Sequence, residues 1–353
     1  MEVNLPAYHV SISCPIEEAS GVAEACRFAM KLAEALRFSE SDIGRVALVV
    51  TEAATNIVQH AGRGEILLRP FALDDPASLE VLALDKGPGI RNVAEALRDG
   101  FSTGGSSGQG LGGIARLSTC FEISSTPGKG TALLARIGRV KAKGPVEPGL
   151  EWGVVCVPKH GEEVCGDAWA VTDGPVRNTI LVVDGLGHGL YAFDAANQAL
   201  RAFSAHARER PESIVNALHQ ALIGTRGAVA AVAEIDWDKR ELHWAGAGNI
   251  AGELVPEEGK SSSLVSHRGT VGHNVTRVQE FTHPWPDAGL LILHSDGLSS
   301  RWALDPYPGL ARKDPSLIAG VLYRDFASRS DDVVVLVGRE RERITREPGR
   351  DST

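Results

Sequence analysis

The chain has 353 residues, of which 43% are hydrophobic and 23% charged. That is ordinary for globular protein, excludes a mainly disordered chain, and at about 150 residues per domain points to two domains. The formal charge is -9 and the pI is near 5.7. Residues 1–138 carry 12 basic and 16 acidic residues, and residues 139–353 carry 24 and 29, so neither half offers the basic face that nucleic acid would need. No apolar run reaches the roughly 18 residues of a membrane span, so no membrane partner is expected. The opening segment MEVNLPAYHVSISCP lacks a basic stretch followed by an apolar one, so it is not read as a signal peptide. Five scattered cysteines (14, 26, 120, 156 and 165) form no CxxC pair, which fits reduced thiols and a cytoplasmic location.

In chain order, residues 16–37 are alanine-rich with helical spacing. Ser39 and Asp42 form a Ser-x-x-acid start signal for a second helix running to about Ala61. Apolar runs at 65–71, 79–84, 120–125 and 131–137 predict strands, with short helices near 92–99 and 111–118. The segment 139–152, with two prolines, two glycines and no periodicity, reads as a linker. Beyond it, strands are predicted at 152–157, 168–172, 179–183, 227–237, 241–246, 290–295 and 332–337, and helices at 190–207 and 211–222. The last fifteen residues read as a charged, frayed tail. Grouped helices among many strands indicate layered α+β rather than strict βαβ alternation.

On the second predicted helix, Val46, Val50, Ala53, Ile57 and Ala61 form an apolar stripe. Glu52, Asn56 and His60, spaced i, i+4, i+8, form a polar stripe beside it. A carboxylate and an amide side by side can hold hydrated Mg²⁺; taken alone, the stripe is a solvent-facing edge. Strand 79–84 ends in DKGPGI, where Asp85 precedes the paired glycines Gly87 and Gly89 and the backbone can approach a ligand closely. The glycine- and serine-rich FSTGGSSGQGLGG at 101–113 leads into a helix whose free N–H groups favour phosphate. Taken alone it is a flexible loop, and it matches neither GxxxxGK[ST] nor GxGxxG.

In order, ExxxNxxxH, DxGxG, GxGLGG and PGKGT at 127–131 resemble the GHKL ATPase superfamily over about residues 8–138, and within it the small anti-sigma-factor serine kinases of RsbT type. The resemblance implies a Bergerat ATP-binding α/β sandwich. It implies that Asn56 holds Mg²⁺ at the phosphates and that Glu52 is the general base for an acceptor serine. It further implies that Asp85, helped by Thr131, binds the adenine amino group, that Gly87 and Gly89 give the backbone room, and that Gly108, Gly110 and Gly112 form a lid over the phosphates. Positioning and charge neutralisation are what phosphoryl transfer needs.

The second half carries acids where apolar strands stop: Asp167 in CGDAW, Asp184 after TILVV and before GLGHG, Asp296 in HSDG, and Asp331 and Asp332 before VVVLVG. Singly, each is a turn residue. Gathered at one sheet edge they would repel unless cations bound, and all-oxygen sites favour Mg²⁺ or Mn²⁺. Two such ions suit hydrolysis of a phosphate ester. The ordered set GD, DGxGHG, SDG and DD resembles the SpoIIE-like PPM-type phosphatases, nearest the RsbX type, over about residues 150–338. The resemblance implies an αββα sandwich in which Asp184 bridges two metals, the Gly185 carbonyl is a ligand, Asp296 and Asp332 complete one metal, and Asp167 contributes directly or through water. Two departures stand out: the first block holds one acid, and Val334 fills a position often held by Thr. His188 reads as a turn-packing residue, His294 as core or rim, and Cys165 as packing.

The expected organisation is a kinase domain at 1–138, a linker at 139–150, a phosphatase domain at 151–338 and a tail at 339–353. The resemblance points to a STAS-domain protein as substrate, with a sigma factor or another switch protein as a further partner. Two other readings stay open: an ATP-binding module that sequesters a regulator without turnover, and a phosphatase with a nucleotide-controlled regulatory domain.

Overall fold

The computed structural model describes residues 3–4, 10–71, 78–98, 110–138, 149–172, 174–275 and 277–341. Expected features at Gly108, across most of the linker, and in the tail beyond residue 341 lie outside the described residues. The first half contains strand β1 (Val3–Asn4), β2 (Ile12–Ile16), helices α1 (Ala19–Ala35) and α2 (Glu40–Asn56), β3 (Gly64–Phe71), β4 (Ser78–Asp85), α3 (Val93–Ala96), α4 (Gly110–Leu117), β5 (Cys120–Thr126) and β6 (Gly130–Ile137). Ser39 caps α2 by accepting from the Asp42 N–H, as the start signal predicts. Strands β2 to β6 form one antiparallel sheet in the order β2-β3-β4-β6-β5.

The second half contains β7 (Leu150–Val157), β8 (Asp167–Thr172), β9 (Arg177–Gly185), α5 (Leu190–His206), α6 (Pro211–Ala221), β10 (Ala228–Asp236), β11 (Glu241–Ala247), β12 (Ala251–Val255), β13 (Ser262–Leu264), β14 (Phe281–Pro284), β15 (Leu290–His294), α7 (Pro315–Phe326) and β16 (Val333–Glu340). They form two sheets, β1-β8-β9-β10-β11-β14 and β13-β12-β15-β16-β7. Strand β1 pairs with β8, so the first described residues join the second half, outside the expected 1–138 unit.

Alternation along the strands sorts the layers. On β7 and β16, Val154, Cys156, Val334 and Leu336 point between the two second-half sheets, while Val155, Val157, Val335 and Val337 point the other way. On β4 and β6, Val81, Ala83, Leu133 and Ala135 face α1 and α2, while Leu82, Leu84, Ala132 and Leu134 face away from them. The two outward sets meet across α7, whose Leu317, Ile318, Val321 and Leu322 share their cluster. The layers therefore run α1/α2, the β2–β6 sheet, α7, the sheet holding β7 and β16, the sheet holding β8, β9 and β10, and α5/α6. Strands covered on both faces read as unbroken apolar runs.

Helix α7 was not among the predicted elements. Asp314 caps it by accepting from the Ser316 N–H, and Pro315 opens its first turn. Gly153 on β7 lets it approach: a Cβ there would lie 2.0 Å from the Ser316 nitrogen. A buried polar network ties its start to the first sheet. Arg136 donates to both oxygens of Asp314 at 2.7 and 2.8 Å and to Glu80 at 2.8 Å. Ser316 Oγ donates to Glu80 at 2.8 Å, and Arg69 donates to Glu80 at 2.7 Å. Burial pushes the Glu80 carboxyl up, but the Arg69 and Arg136 guanidinium groups outweigh it and hold Glu80 below the usual carboxylate range.

Candidate functional sites

The first candidate site lies where α2 ends and β4 stops. Glu52 and Asn56 sit half-buried on the last turns of α2, and Nδ2 of Asn56 is buried without a hydrogen-bond partner. Beyond Asn56 the helix widens into a π-helical turn, Ile57–Ala61. Such turns recur at functional sites. The wider turn breaks the i, i+4, i+8 register, so the expected single stripe of Glu52, Asn56 and His60 ends at Asn56. His60 is exposed, and its charge acts on Asp85, favouring the ionised form.

Asp85 ends β4. Its Oδ1 accepts from the Gly87 N–H at 2.8 Å and from the Thr131 N–H at 3.2 Å. Burial raises the Asp85 carboxyl above its ordinary value, against those two N–H groups and the charges of Arg324 and His60. The Thr131 hydroxyl pairs with Ser125 Oγ at 2.9 Å. The glycines let two turns interlock. Gly89 has φ +71°, and a Cβ there would lie 2.4 Å from the Thr126 carbonyl oxygen. Gly130 has φ +86°, and a Cβ there would lie 2.0 Å from the Asp85 carbonyl oxygen. Gly128 donates to the Pro88 carbonyl at 2.8 Å, closing the pair. A Cβ on Gly87 would meet Ala61 at 2.7 Å. Gly110 and Gly112 lie in the first turn of α4, where free N–H groups favour anions. Thus the structure brings Asp85, Gly87, Gly89 and Thr131 together.

The second candidate site lies at one edge of the facing second-half sheets. Asp167 opens β8 and pairs in register with Asp184 near the end of β9. Asp332 immediately precedes β16, and Asp296 follows β15 by two residues. Asp332 accepts from the Lys159 N–H at 2.8 Å and the Gly166 N–H at 2.9 Å. Ser295 Oγ donates to Asp167 at 2.6 Å and accepts from the Val334 N–H at 3.1 Å. Asn249 donates to Asp296 at 2.9 Å. These donors are neutral, so they orient the acids without cancelling their charge. Burial, then the charges of Asp296, Asp331 and Asp332, push Asp184 up to about 8. Burial and Asp184 raise Asp167 well above its usual range. A donor set of oxygens with mutually repelling charge suits a divalent cation. Among the described residues, however, no three His, Cys, Asp or Glu side chains are gathered tightly enough to form a ready-made cage.

Gly185 donates to the Gly166 carbonyl at 3.0 Å, and a Cβ on it would lie 2.2 Å from the Ala192 carbonyl oxygen, so its backbone is pressed into the start of α5. His188 Nδ1 pairs with Glu162 at 2.7 Å. His294 hydrogen-bonds the Ser295 carbonyl through Nδ1 at 2.8 Å and accepts from Trp302 Nε1 at 3.0 Å, so both ring nitrogens are used. Cys165 and Cys156 lie buried with sulfurs 3.8 Å apart; the hydrogen bond to Cys156 and burial push the Cys165 thiol up, away from nucleophile chemistry. Sequence reading missed Ser295, Asn249 and the Lys159 and Gly166 amides. Serine and asparagine are common, and backbone donors carry no residue signature.

The histidine kinase-like ATPase domain family matches residues 16–137, and the stage II sporulation protein E (SpoIIE) family matches residues 175–339. Serine/threonine-protein kinase RsbT of Bacillus subtilis (strain 168) is 38% identical over 104 residues, 30% of this chain and 78% of RsbT. Phosphoserine phosphatase RsbX of the same strain is 25% identical over 183 residues, 51% of this chain and 90% of RsbX. A solved structure from work on the bacterial stressosome, a modular system adapted to control secondary messenger signalling, matches with TM-score 0.50 at 29% identity. That match covers 54% of this chain and 99% of the other. No helix among the described residues is long and apolar enough to cross a membrane. The chain is a two-domain α+β protein that belongs, through its first half, to the histidine kinase-like ATPase family of RsbT, followed by a SpoIIE domain of PPM phosphatase fold.

Proposed function

We propose that this chain is a bifunctional, cytoplasmic partner-switching regulator. The kinase unit, up to residue 138, uses ATP to phosphorylate serine or threonine on a STAS-domain protein. The phosphatase unit, residues 151–338, removes phosphate from the same or a related partner, and a sigma factor or other switch protein is a further partner. The observation that carries this reading is the pairing in one chain of a glycine-lined turn holding Asp85 with an edge of mutually repelling aspartates around Asp184.

In the kinase unit, Oδ1 of Asp85 is occupied by backbone N–H groups, which leaves Oδ2 to accept from an adenine amino group. Glu52 takes the proton of the acceptor hydroxyl. Asn56 sits one turn away on α2, where its Oδ1 would hold Mg²⁺, an ion that would supply charge neutralisation for phosphoryl transfer. Gly110 and Gly112, at the start of α4, would offer backbone N–H groups to the phosphates. In the phosphatase unit, Asp167, Asp184, the Gly185 carbonyl, Asp296 and Asp332 would hold Mg²⁺ or Mn²⁺. Bound there, the ions would supply charge neutralisation and an activated water for phosphate-ester hydrolysis. The backbone clamps on Asp332 and the Ser295 hydrogen bond to Asp167 hold those carboxylates in orientation.

The test is to incubate the full chain with ATP, Mn²⁺ and a STAS-domain protein. Phosphate transfer to the partner, and release from the phosphorylated partner, are expected. Absence of both would overturn the reading. Transfer lost in Glu52→Ala with ATP binding retained supports kinase turnover. ATP binding with no transfer by the unmutated chain would instead identify a sequestering module.

A further inference from the structure

The C-terminal turn of α7 touches the turn that carries Asp85. The Arg324 side chain is 6% exposed, and its Nη1 donates to the backbone carbonyl of Asp85 at 3.1 Å. Its Nε and Nη2 bracket the carboxylate of Asp325 at 3.1 and 2.6 Å. Asp325 also accepts from the Tyr307 hydroxyl at 2.7 Å and faces Lys86 Nζ at 3.7 Å. Lys129, in the turn before Thr131, lies 4.8 Å over the Tyr307 ring. Both turns that form the Asp85 pocket are thus held by side chains of the other half.

The carbonyl that Arg324 grips belongs to the residue whose carboxylate faces the ligand. Gly130 packs against the same carbonyl, so the peptide is clamped from two sides. An Arg fork fixed by a carboxylate is a rigid anchor, because the planar guanidinium is pre-organised by its own ion pair. We propose that Arg324 is a positioning residue for the nucleotide site, setting the direction of the Asp85 carboxylate, so that the kinase half reaches full ATP affinity only with α7 docked on it. The inference rests on the reading of Asp85 as the adenine acceptor. The groups that act on the Asp85 carboxylate are the Gly87 and Thr131 amides, Arg324 on α7 and His60 after α2, and the Lys86–Asp325 pair lies beside Arg324.

The test measures ATP binding by calorimetry on the full chain, with Arg324→Ala, Arg324→Lys and Tyr323→Phe. Tyr323 bonds Glu65 across the same interface at 3.1 Å without touching Asp85, so it reports simple loosening of the contact. Arg324→Ala is expected to weaken ATP binding about tenfold, the effect of losing a charge-assisted hydrogen bond. Arg324→Lys should restore part of the loss, since it keeps the charge but not the fork. Tyr323→Phe should stay within about twofold of the unmutated chain, below the tenfold effect of a lost charged bond. The acid arm of ATP binding, where Asp85 takes up a proton and stops accepting, should also move to higher pH in Arg324→Ala, because the carboxylate loses a cation. Equal ATP binding by Arg324→Ala and the unmutated chain, or equal losses in Arg324→Ala and Tyr323→Phe, would overturn the proposal. If the unmutated chain binds no ATP, the nucleotide reading falls first and takes this inference with it.

Discussion

The two candidate sites solve opposite electrostatic problems with the same strand-end device. At the end of β4, one acid is steadied by backbone N–H groups and surrounded by glycines, and the pocket is made of shape. At the ends of β8, β9 and β15 and before β16, several acids are steadied by neutral donors and left repelling one another, and the pocket is made of charge. A large organic ligand needs room and one directional acceptor. A small cation needs stored negative potential, and the structure bears the cost in raised carboxyl pKa values at Asp184 and Asp167. Strand-end acids are thus not one motif: what surrounds them decides which ligand they suit.

That contrast breaks most directly at the acids themselves. Asp184→Asn and Asp332→Asn should each cut dephosphorylation of a phosphoprotein by at least about a hundredfold, as loss of metal-site groups does. Near-normal turnover by both variants would remove the carboxylate site. At the other site, Asp85→Asn should lose most ATP binding. Glu52→Ala should retain binding yet slow phosphate transfer by about 10²–10⁴, the usual worth of a general base. A matching loss of binding in Glu52→Ala would give that residue a binding role instead.

A subtler test uses protons. Asp184 sits near 8 when folded and near about 3.9 when unfolded, so it binds more protons in the folded state between those values. Without metal, stability from this residue therefore falls as pH rises from about 4 to about 8 and is flat above. Cation binding must displace that proton, so the Mn²⁺-induced rise in melting temperature should be larger at pH 8 than at pH 6. Asp184→Asn should abolish that rise while melting a few degrees higher than the metal-free parent, on the scale of about 2–4 °C per kcal/mol. A rise that ignores pH would place Mn²⁺ elsewhere. The smallest expected effect is at the shared interface. Ser316→Ala removes one donor to Glu80 while both guanidinium groups remain, and should cost about 1 kcal/mol by denaturant unfolding.

Much of the molecule was legible as local chemistry. The helix start at Ser39, the strand-end acids and the ordered glycine blocks all depend on neighbours within a few residues, so a linear reading reaches them. Other features escaped it for definite reasons. The π-helical turn after Asn56 keeps a helical composition, so spacing arithmetic carried the stripe on to His60. Ser295 and Asn249 act only because β15 and the residues before β12 arrive beside the acids.

By itself the sequence determined a layered α+β chain with acids and glycines where its strands end, because those depend on periodicity and short-range spacing, and the order of its motifs carried the resemblance to the two families. Only the tertiary structure decided that the halves are not merely consecutive. PSLIAGVLYRDF has no polar face to give a period, because α7 is buried between two sheets. The partners of Glu80 and of the Asp85 carbonyl, Ser316 and Arg324, lie 236 and 239 residues further along the chain. Contacts at that separation leave no pattern in sequence; they exist because covering both faces of the sheets requires the shared helix.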